Sequence, residues 1–282
     1  MDAHFDEAGG REVIEIDLVA RIMREVAAQE VMPRWRNLAS DDVVEKSGPS
    51  DVVTVADRAT EVELSHRLAD LIAGSRVIGE EAVHADPSVM HHFASGDPVW
   101  VIDPIDGTSA FAKGEAGFAV MVALVRDEEL LAGWILEPVS GILHMGARGS
   151  GVWRDRDGVV ERSAAPHIPG LHKELIGLLG RRHMSDARRA EIRARGEAFG
   201  ALQNVSCAGL DYPRLLSGSA HFAIYNKSEP WDHLPGLALA TELGFVFSKH
   251  DGSAYVPGDN EGGLVIAPSE EISAEIRRQL LS

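Results

Sequence analysis

The chain has 282 residues, 45% hydrophobic and 25% charged, and its 27 basic and 44 acidic side chains leave a formal net charge of −17. These proportions exclude a disordered or fibrous chain, and at this length roughly three quarters of the unfolded surface can be buried without a disulfide or metal staple. A field of that sign excludes a nucleic acid polymer as partner, since no basic patch offsets it, and it attracts cations.

The single cysteine, Cys207, rules out an internal disulfide and points to a reducing compartment. The opening stretch MDAHFDEAGGREVIEID is acidic and lacks the apolar core of a signal peptide. The longest apolar run, 118–125, falls far short of the roughly 20 residues that span a bilayer. A soluble, cytoplasmic protein with no membrane partner is expected. The length suits one large domain or two small ones at about 150 residues each. The expected division is an N-terminal half over 1–155 and a C-terminal half over 156–282, with 151–163 as the softest boundary.

In chain order, Leu18, Ile22 and Val26 recur every four residues between charged positions and predict a helix over 11–29. The polar stretch 40–53, with Gly48-Pro49, reads as a loop. A helix follows Thr54, with Ala56, Ala59, Leu64, Leu68 and Ile72 on its buried side and Gly74 at its end. Short apolar runs at 76–78 and 99–102 stop directly on acidic residues, as buried strands delivering side chains to a site do. The runs 118–126 and 130–136 predict an antiparallel hairpin, and a further strand covers 141–146. The second half alternates, with helices over 185–198, 210–217, 234–243 and 269–281 and strands over 203–206, 221–225, 245–248 and 263–266. The class is α/β (α+β), with two sheets sandwiched between helices.

The chemistry lies in carboxylates placed where these elements meet: Asp57 in DVVTVADRATE, Glu80 and Glu81 in GEE, Asp103 and Asp106 in WVIDPIDGT, and Asp232 in PWDHLPG. Pro104 biases Asp103 toward an extended backbone and Gly107 permits a close approach, so both aspartates and the Ile105 carbonyl can address one focus. All are hard oxygen donors, which suit Mg²⁺ better than Zn²⁺. Two like charges about 4 Å apart repel by about 4 kcal/mol at an effective dielectric near 20. Several converging carboxylates therefore consume a large fraction of a typical stability of about 5–15 kcal/mol unless cations offset them. Taken singly, each motif has a plainer reading. GEE alone is a solvated loop, Asp232 caps a helix beside a packed Trp231, the Asp57–Glu61 spacing is a solvated helix face, and DPIDGT is a capped turn.

The four motifs in this order resemble the inositol monophosphatase family of magnesium-dependent, lithium-sensitive phosphatases, over residues 46 to 236. The resemblance implies a layered α-β-α-β-α sandwich with two mixed sheets, two to three Mg²⁺ ions, a small phosphate ester as substrate and a homodimer. It implies Glu80, Asp103 and the Ile105 carbonyl as ligands of a first ion and Asp103, Asp106 and Asp232 as ligands of a second, with a third leaning on Glu80. Asp57 and Thr108 are similar to the pair that aligns the attacking water, and Glu80 holds that water through the metal. Asp106, Gly107, Thr108 and Ser109 fall on the phosphate side, Ala208 on the substrate side, and Lys46 matches a mobile-loop lysine. Hydrolysis of a monoester needs a nucleophilic water, charge neutralisation and a stabilised leaving alkoxide, which bound divalent cations supply.

The chain departs from the inositol-specific pattern at two places. After DGT it reads Ser109-Ala110-Phe111 where Thr-Asn-Phe is common, and seven residues before Asp232 it carries Tyr225 in place of a glutamate that contacts inositol hydroxyls. Tyr225 can stack on a base or fill an apolar gap but cannot accept two sugar hydroxyls. Inositol 1-phosphate is the default substrate; 3′-phosphoadenosine 5′-phosphate and histidinol phosphate are the enzyme alternatives, and a regulatory pseudophosphatase is the non-enzyme one. The small residues of Ser206-Cys207-Ala208-Gly209 suit either ligand approach or tight helix packing, and Asp211 and Tyr212 follow on the same helix. Cys207 reads as a small buried residue, Lys113 as a solvated one, and His91, His92, His183, His221 and His233 as surface or capping residues.

Overall fold

A computed structural model of the chain describes residues 2–5, 12–48, 51–180, 184–205 and 207–282. Strands β1 (Asp2–Phe5) and β2 (Glu12–Glu15) pair antiparallel and lead into α1 (Ile16–Val26). The helix expected from residue 11 thus starts at Ile16; it buries Ile16, Val19, Ile22, Met23 and Val26 on one face. The stretch expected to be a loop forms an antiparallel hairpin, β3 (Val43–Gly48) and β4 (Asp51–Thr54), with Val43 opposite Thr54 and Val44 opposite Val53. Its β-branched residues find their partners across the turn, a signal that polarity and Gly-Pro alone conceal.

Next come α2 (Val55–Ala69), β5 (Arg76–Gly79), α3 (Glu80–Ala85), β6 (Val99–Asp106) and α4 (Thr108–Ala112). Five strands follow: β7 (Ala119–Arg126), β8 (Glu129–Glu137), β9 (Ile142–Ala147), β10 (Gly151–Arg156) and β11 (Val159–Arg162). They build a seven-stranded sheet in the order β11-β10-β9-β8-β7-β6-β5, antiparallel except for the parallel β5–β6 pair.

The rest of the chain runs through β12 (Ile176–Leu179), α5 (Asp186–Arg195), β13 (Ala201–Asn204), α6 (Ala208–Leu216), β14 (Phe222–Tyr225), α7 (Pro230–Glu242), β15 (Val246–Ser248), β16 (Leu264–Ala267) and α8 (Glu270–Ile276). The second sheet has the order β13-β12-β14-β16-β15, with β12 parallel to both neighbours and β16 antiparallel to both. Strand β12 is a central strand that the sequence pattern does not announce. Helix α7 starts four residues earlier than expected, because Pro230 sits at its first turn, where the missing N–H costs nothing.

Side-chain alternation sorts the layers. Trp100, Ile102, Val120, Val122 and Trp134 face α1 and α2, while Val99, Val101, Ala119, Met121 and Ile135 point the other way, onto Tyr212 and Leu215 of α6 and Leu234 and Leu237 of α7. The far side of α6 and α7 meets Leu178, Ala223 and Ile266 of the second sheet. That sheet's outer face packs Leu179, Phe222, Ile224 and Val265 against Ile192 of α5 and Ile276 of α8. The result is the expected α-β-α-β-α sandwich with two mixed sheets. Among the described residues no helix is long and apolar enough to cross a membrane.

Candidate active site

The site forms where β6 runs out. Asp103 pairs with Met121 and Asp106 with Ala119, so three steps on β6 oppose two on β7. In a regular strand, residues an odd number apart face opposite sides. The extra residue of this bulge turns Asp106 back to the face that carries Asp103. Gly107 then takes φ +92°, and a Cβ on it would stand 2.6 Å from the Gly117 carbonyl oxygen, so the turn into α4 requires glycine.

Helix α2 delivers the next group. Thr54 caps it: its Oγ1 accepts from the N–H of Ala56 at 3.1 Å and of Asp57 at 3.4 Å. In return Asp57 Oδ2 accepts from the Thr54 N–H at 2.8 Å and its hydroxyl at 2.5 Å, a reciprocal capping box. The other oxygen, Asp57 Oδ1, lies 3.1 Å from the Thr108 hydroxyl, which also reaches the Ile105 carbonyl at 2.9 Å. One turn on, Glu61 is buried too and accepts from the N–H groups of Glu81 and Ala82. The solvated-face reading of the Asp57–Glu61 spacing is therefore wrong: α3 and α4 cover that face. Glu61 is the residue that sequence reasoning missed, since nothing in its own segment reports the chain that covers it.

Glu80 opens α3 beside this cluster, and Lys46 of the β3–β4 hairpin donates to Glu80 Oε1 at 2.9 Å and Glu81 Oε1 at 2.5 Å. From the opposite side come α6 and α7. Asp232 sits in the first turn of α7, and carboxylate oxygens of Asp103, Asp106 and Asp232 all lie within 4.8 Å of one another. Gly209 of α6 donates its N–H to Asp106 Oδ2 at 2.5 Å. A Cβ on Gly209 would meet the Ala119 Cβ at 2.4 Å, so only glycine lets α6 approach β7 this closely. Gly209 is thus a packing residue; Ala208 is buried at the start of α6, and Ser206 lies outside the described residues.

Burial, and then the charges of Glu80, Asp106, Asp232 and Asp57, push the Asp103 carboxyl well above the usual carboxylate range. Burial raises Glu80 to about 7 against the opposing pull of Lys46, and Asp57 to about 6 against its Thr54 bonds. Burial alone would lower the Lys46 ammonium, but Glu80 and Glu81 outweigh it and hold it above its ordinary value. Asp103 Oδ1 is buried with no hydrogen-bond partner among the described residues. Convergent carboxylates, an orphaned carboxylate oxygen and the Ile105 carbonyl, which keeps a second lone pair beside its bond to Thr108, are a donor set that fits a hard divalent cation.

Tyr225 of β14, Tyr212 of α6 and His233 of α7 pack their rings together. Tyr225 is buried, its hydroxyl 3.4 Å from Asp211 Oδ2 and its ring 4.6 Å from that of His233. His233 and His221, expected as surface or capping residues, are both buried. His221 Nδ1 accepts from the Ile176 N–H at 2.8 Å. His233 Nε2 faces the Lys227 carbonyl at 3.1 Å, which can only accept, so Nε2 carries the proton. Burial lowers the ring to about 4; Nδ1 of the neutral ring therefore accepts from the Tyr212 hydroxyl at 3.2 Å. Ser109 lies half-buried in α4 and Lys113 is exposed. Burial raises the Cys207 thiol well above its usual value, as suits an inert packed residue. His183 lies outside the described residues.

The chain is similar to known proteins over most of its length. The model of the inositol monophosphatase family matches residues 12–281. An inositol-1-monophosphatase of Mycobacterium leprae is 30% identical over 231 residues, covering 81% of this chain and 77% of its own. A fructose-1,6-bisphosphatase/inositol-1-monophosphatase of Thermotoga maritima is 25% identical over 239 residues, covering 84% and 85%. Among solved structures, a Thermotoga maritima IMPase matches with a TM-score of 0.76 at 22% identity over 94% of this chain and 97% of that one. An IMPase/NADP phosphatase complexed with Mg²⁺ and phosphate matches with a TM-score of 0.74 at 19% identity over 93% and 96%. At these identities the two structures speak for the fold.

Proposed function

The chain belongs to the inositol monophosphatase family, a family of phosphoric monoester hydrolases, and on that premise we propose that it hydrolyses a small phosphate monoester of the inositol 1-phosphate type with Mg²⁺ as cofactor. The observation that carries this reading is the convergence of Asp103, Asp106 and Asp232 within 4.8 Å, with one buried Asp103 oxygen that has no hydrogen-bond partner among the described residues. In this reading Glu80, Asp103 and the Ile105 carbonyl hold one ion and Asp103, Asp106 and Asp232 another, with a third leaning on Glu80. Bound there, Mg²⁺ neutralises the ester's charge and acidifies a water at neutral pH.

The chain's own residues do the positioning. Asp57 spends Oδ2 on Thr54, which leaves Oδ1 to orient the Thr108 hydroxyl. With its proton directed at Asp57 or the Ile105 carbonyl, Thr108 Oγ1 offers a lone pair to a water and holds it for attack. Backbone N–H groups of Gly107, Thr108 and Ser109 meet the phosphate, where fixed dipoles complement its charge. Ala208 and Tyr225 wall the alcohol side. We place the enzyme in the cytoplasm as a homodimer.

Tyr225 supports a second substrate reading. Its phenol is directed at Asp211, so the wall offers an aromatic surface where inositol-specific relatives offer a carboxylate. A nucleotide such as 3′-phosphoadenosine 5′-phosphate suits that surface. Phosphate release is to be measured from inositol 1-phosphate, 3′-phosphoadenosine 5′-phosphate and histidinol phosphate, with Mg²⁺ and with excess EDTA. Mg²⁺-dependent release with the highest kcat/KM on inositol 1-phosphate is expected. A preference for the nucleotide favours the second reading, and no release from any ester by folded protein points to a regulatory member.

A further inference from the structure

Helix α3 starts without a cap of its own. Its N-cap residue is Gly79, which has no side chain to offer, and Glu80 follows as the first helical residue. The donors of the first turn are served from α2 instead. Glu61 Oε2 accepts from the Glu81 N–H at 2.7 Å, and Glu61 Oε1 accepts from the Ala82 N–H at 2.8 Å. A local cap satisfies one of these donors; the Glu61 carboxyl group satisfies both. Gly79 makes room for it: a Cβ there would stand 2.2 Å from Glu61 Cδ and 2.5 Å from each of its oxygens.

The consequence falls on Glu80. It lies between the glycine that Glu61 covers and the peptide N–H that Glu61 binds. The plane of the 80–81 peptide is anchored, and with it the direction in which the Glu80 side chain leaves the backbone. Asp57 and Glu61 stand one turn apart on the same face of α2, a rise of about 6 Å. The first holds Thr108 at the start of α4 and the second holds the start of α3. A single rigid helix thus spaces Glu80 from Thr108.

We infer that Glu61 is the positioning residue for Glu80, acting by capping α3 from α2, and that the glycine at 79 is the other half of the same device. This rests on the reading of Glu80 as a cation ligand. Glu61 itself touches neither cation nor substrate, because both its oxygens are turned to backbone N–H groups.

The test is direct Mn²⁺ binding, followed by the electron paramagnetic resonance of the free ion, on the whole chain as wild type and as Glu61→Gln, Gly79→Ala and Glu80→Gln, with thermal melts on the same samples. Glu61→Gln keeps the shape but turns an amide N–H₂ toward a backbone donor. It is expected to weaken Mn²⁺ binding about tenfold, the loss that follows when a ligand's supporting bond is removed. The Mg²⁺ concentration for half-maximal turnover should rise by a like factor, with KM for the ester at saturating Mg²⁺ within about twofold. Gly79→Ala keeps the carboxyl group in the chain but fills its seat, so it should reproduce the shift. Wild-type Mn²⁺ affinity in folded Glu61→Gln or Gly79→Ala protein, with only the melting temperature lowered, overturns the inference. If both fail to fold, Glu61→Asp decides: its carboxylate is one methylene short of the two donors, and wild-type affinity there overturns the inference equally. Glu80→Gln separates the two claims. If it binds Mn²⁺ as the wild type does, the reading of Glu80 as a ligand fails; if it alone loses affinity, only the positioning role of Glu61 fails.

Discussion

At the end of β6, Asp103 is buried with one oxygen that no described residue bonds, and four nearby carboxylates raise its protonation further. One layer deeper, between α6 and α7, His233 is as fully buried, yet both ring nitrogens are answered, by the Lys227 carbonyl and the Tyr212 hydroxyl. Both regions place polar groups where burial alone is unfavourable. In the deeper one the partners are built in, and the network holds α6 against α7. In the outer one an oxygen of Asp103 has no partner among the described residues, and the fold retains a carboxylate cluster that gains from a cation brought from solution.

Asp103→Asn breaks the contrast most sharply. An amide cannot serve two dications as a carboxylate does, so turnover should fall by on the order of 10³ or more in a phosphate-release assay. In EDTA the same variant should melt higher than the wild type, by about 2–4 °C for each kcal/mol of repulsion relieved. Retained activity in Asp103→Asn, or a lower melting temperature for it without metal, contradicts the reading of the outer region.

The pH dependence of stability separates the two regions by sign. Burial raises Glu61 and Glu80 from 4.5 to about 7. Their protonated forms therefore stabilise the cation-free fold, fully below 4.5, and that contribution is lost as the pH rises through about 7. Burial lowers His233 from 6.5 to about 4. Its contribution is complete above 6.5 and is lost as the pH falls through about 4. A group moved this far changes stability by on the order of 3 kcal/mol across its window. Melting temperature in EDTA should pass through a maximum between about pH 4.5 and 6.5, and saturating Mg²⁺ should flatten its alkaline side by favouring the ionised carboxylates. An alkaline fall that Mg²⁺ does not alter would remove the carboxylate cluster as its cause.

Gly236→Ala perturbs the framework and reaches the site through it. A Cβ at this position would stand 2.1 Å from Tyr212 Cγ, so α7 must lift from α6 and take Asp232 with it. A stability loss of about 2 kcal/mol is expected from overpacking, together with a higher Mg²⁺ requirement. The smallest change is Tyr212→Phe, which leaves His233 Nδ1 without its donor. It should cost about 1 kcal/mol in a denaturant melt and leave kcat within about twofold, since that network holds shape and carries no proton of the reaction.

Legibility in the sequence follows from where each signal lies. The runs ending at Ile102 and the DPIDGT turn report themselves locally, so the convergence of Asp103 and Asp106 is readable, although the β-bulge that produces it is not. The hairpin of β3 and β4 reads as a loop because strands this short are recognised by their cross-strand partners, not by their own composition. Glu61 looks solvated because α2 carries charges around much of its circumference, and the elements that bury it begin near residue 80. His233 looks like a capping residue beside Asp232, whereas its two partners belong to α6 and to the segment before α7.

By itself the sequence determined the class of the fold, the inventory of hard oxygen donors and the family, because strand runs, helix periodicity and contiguous motifs are properties of neighbouring residues. Tertiary structure alone decided what each of those carboxylates meets. Glu61 on the N–H groups of Glu81 and Ala82, Gly209 on Asp106 and Tyr212 on His233 join residues from about 20 to more than 100 positions apart. Such pairings have no period along the chain, and only the packing of α2, α6 and α7 around β6 brings them within reach.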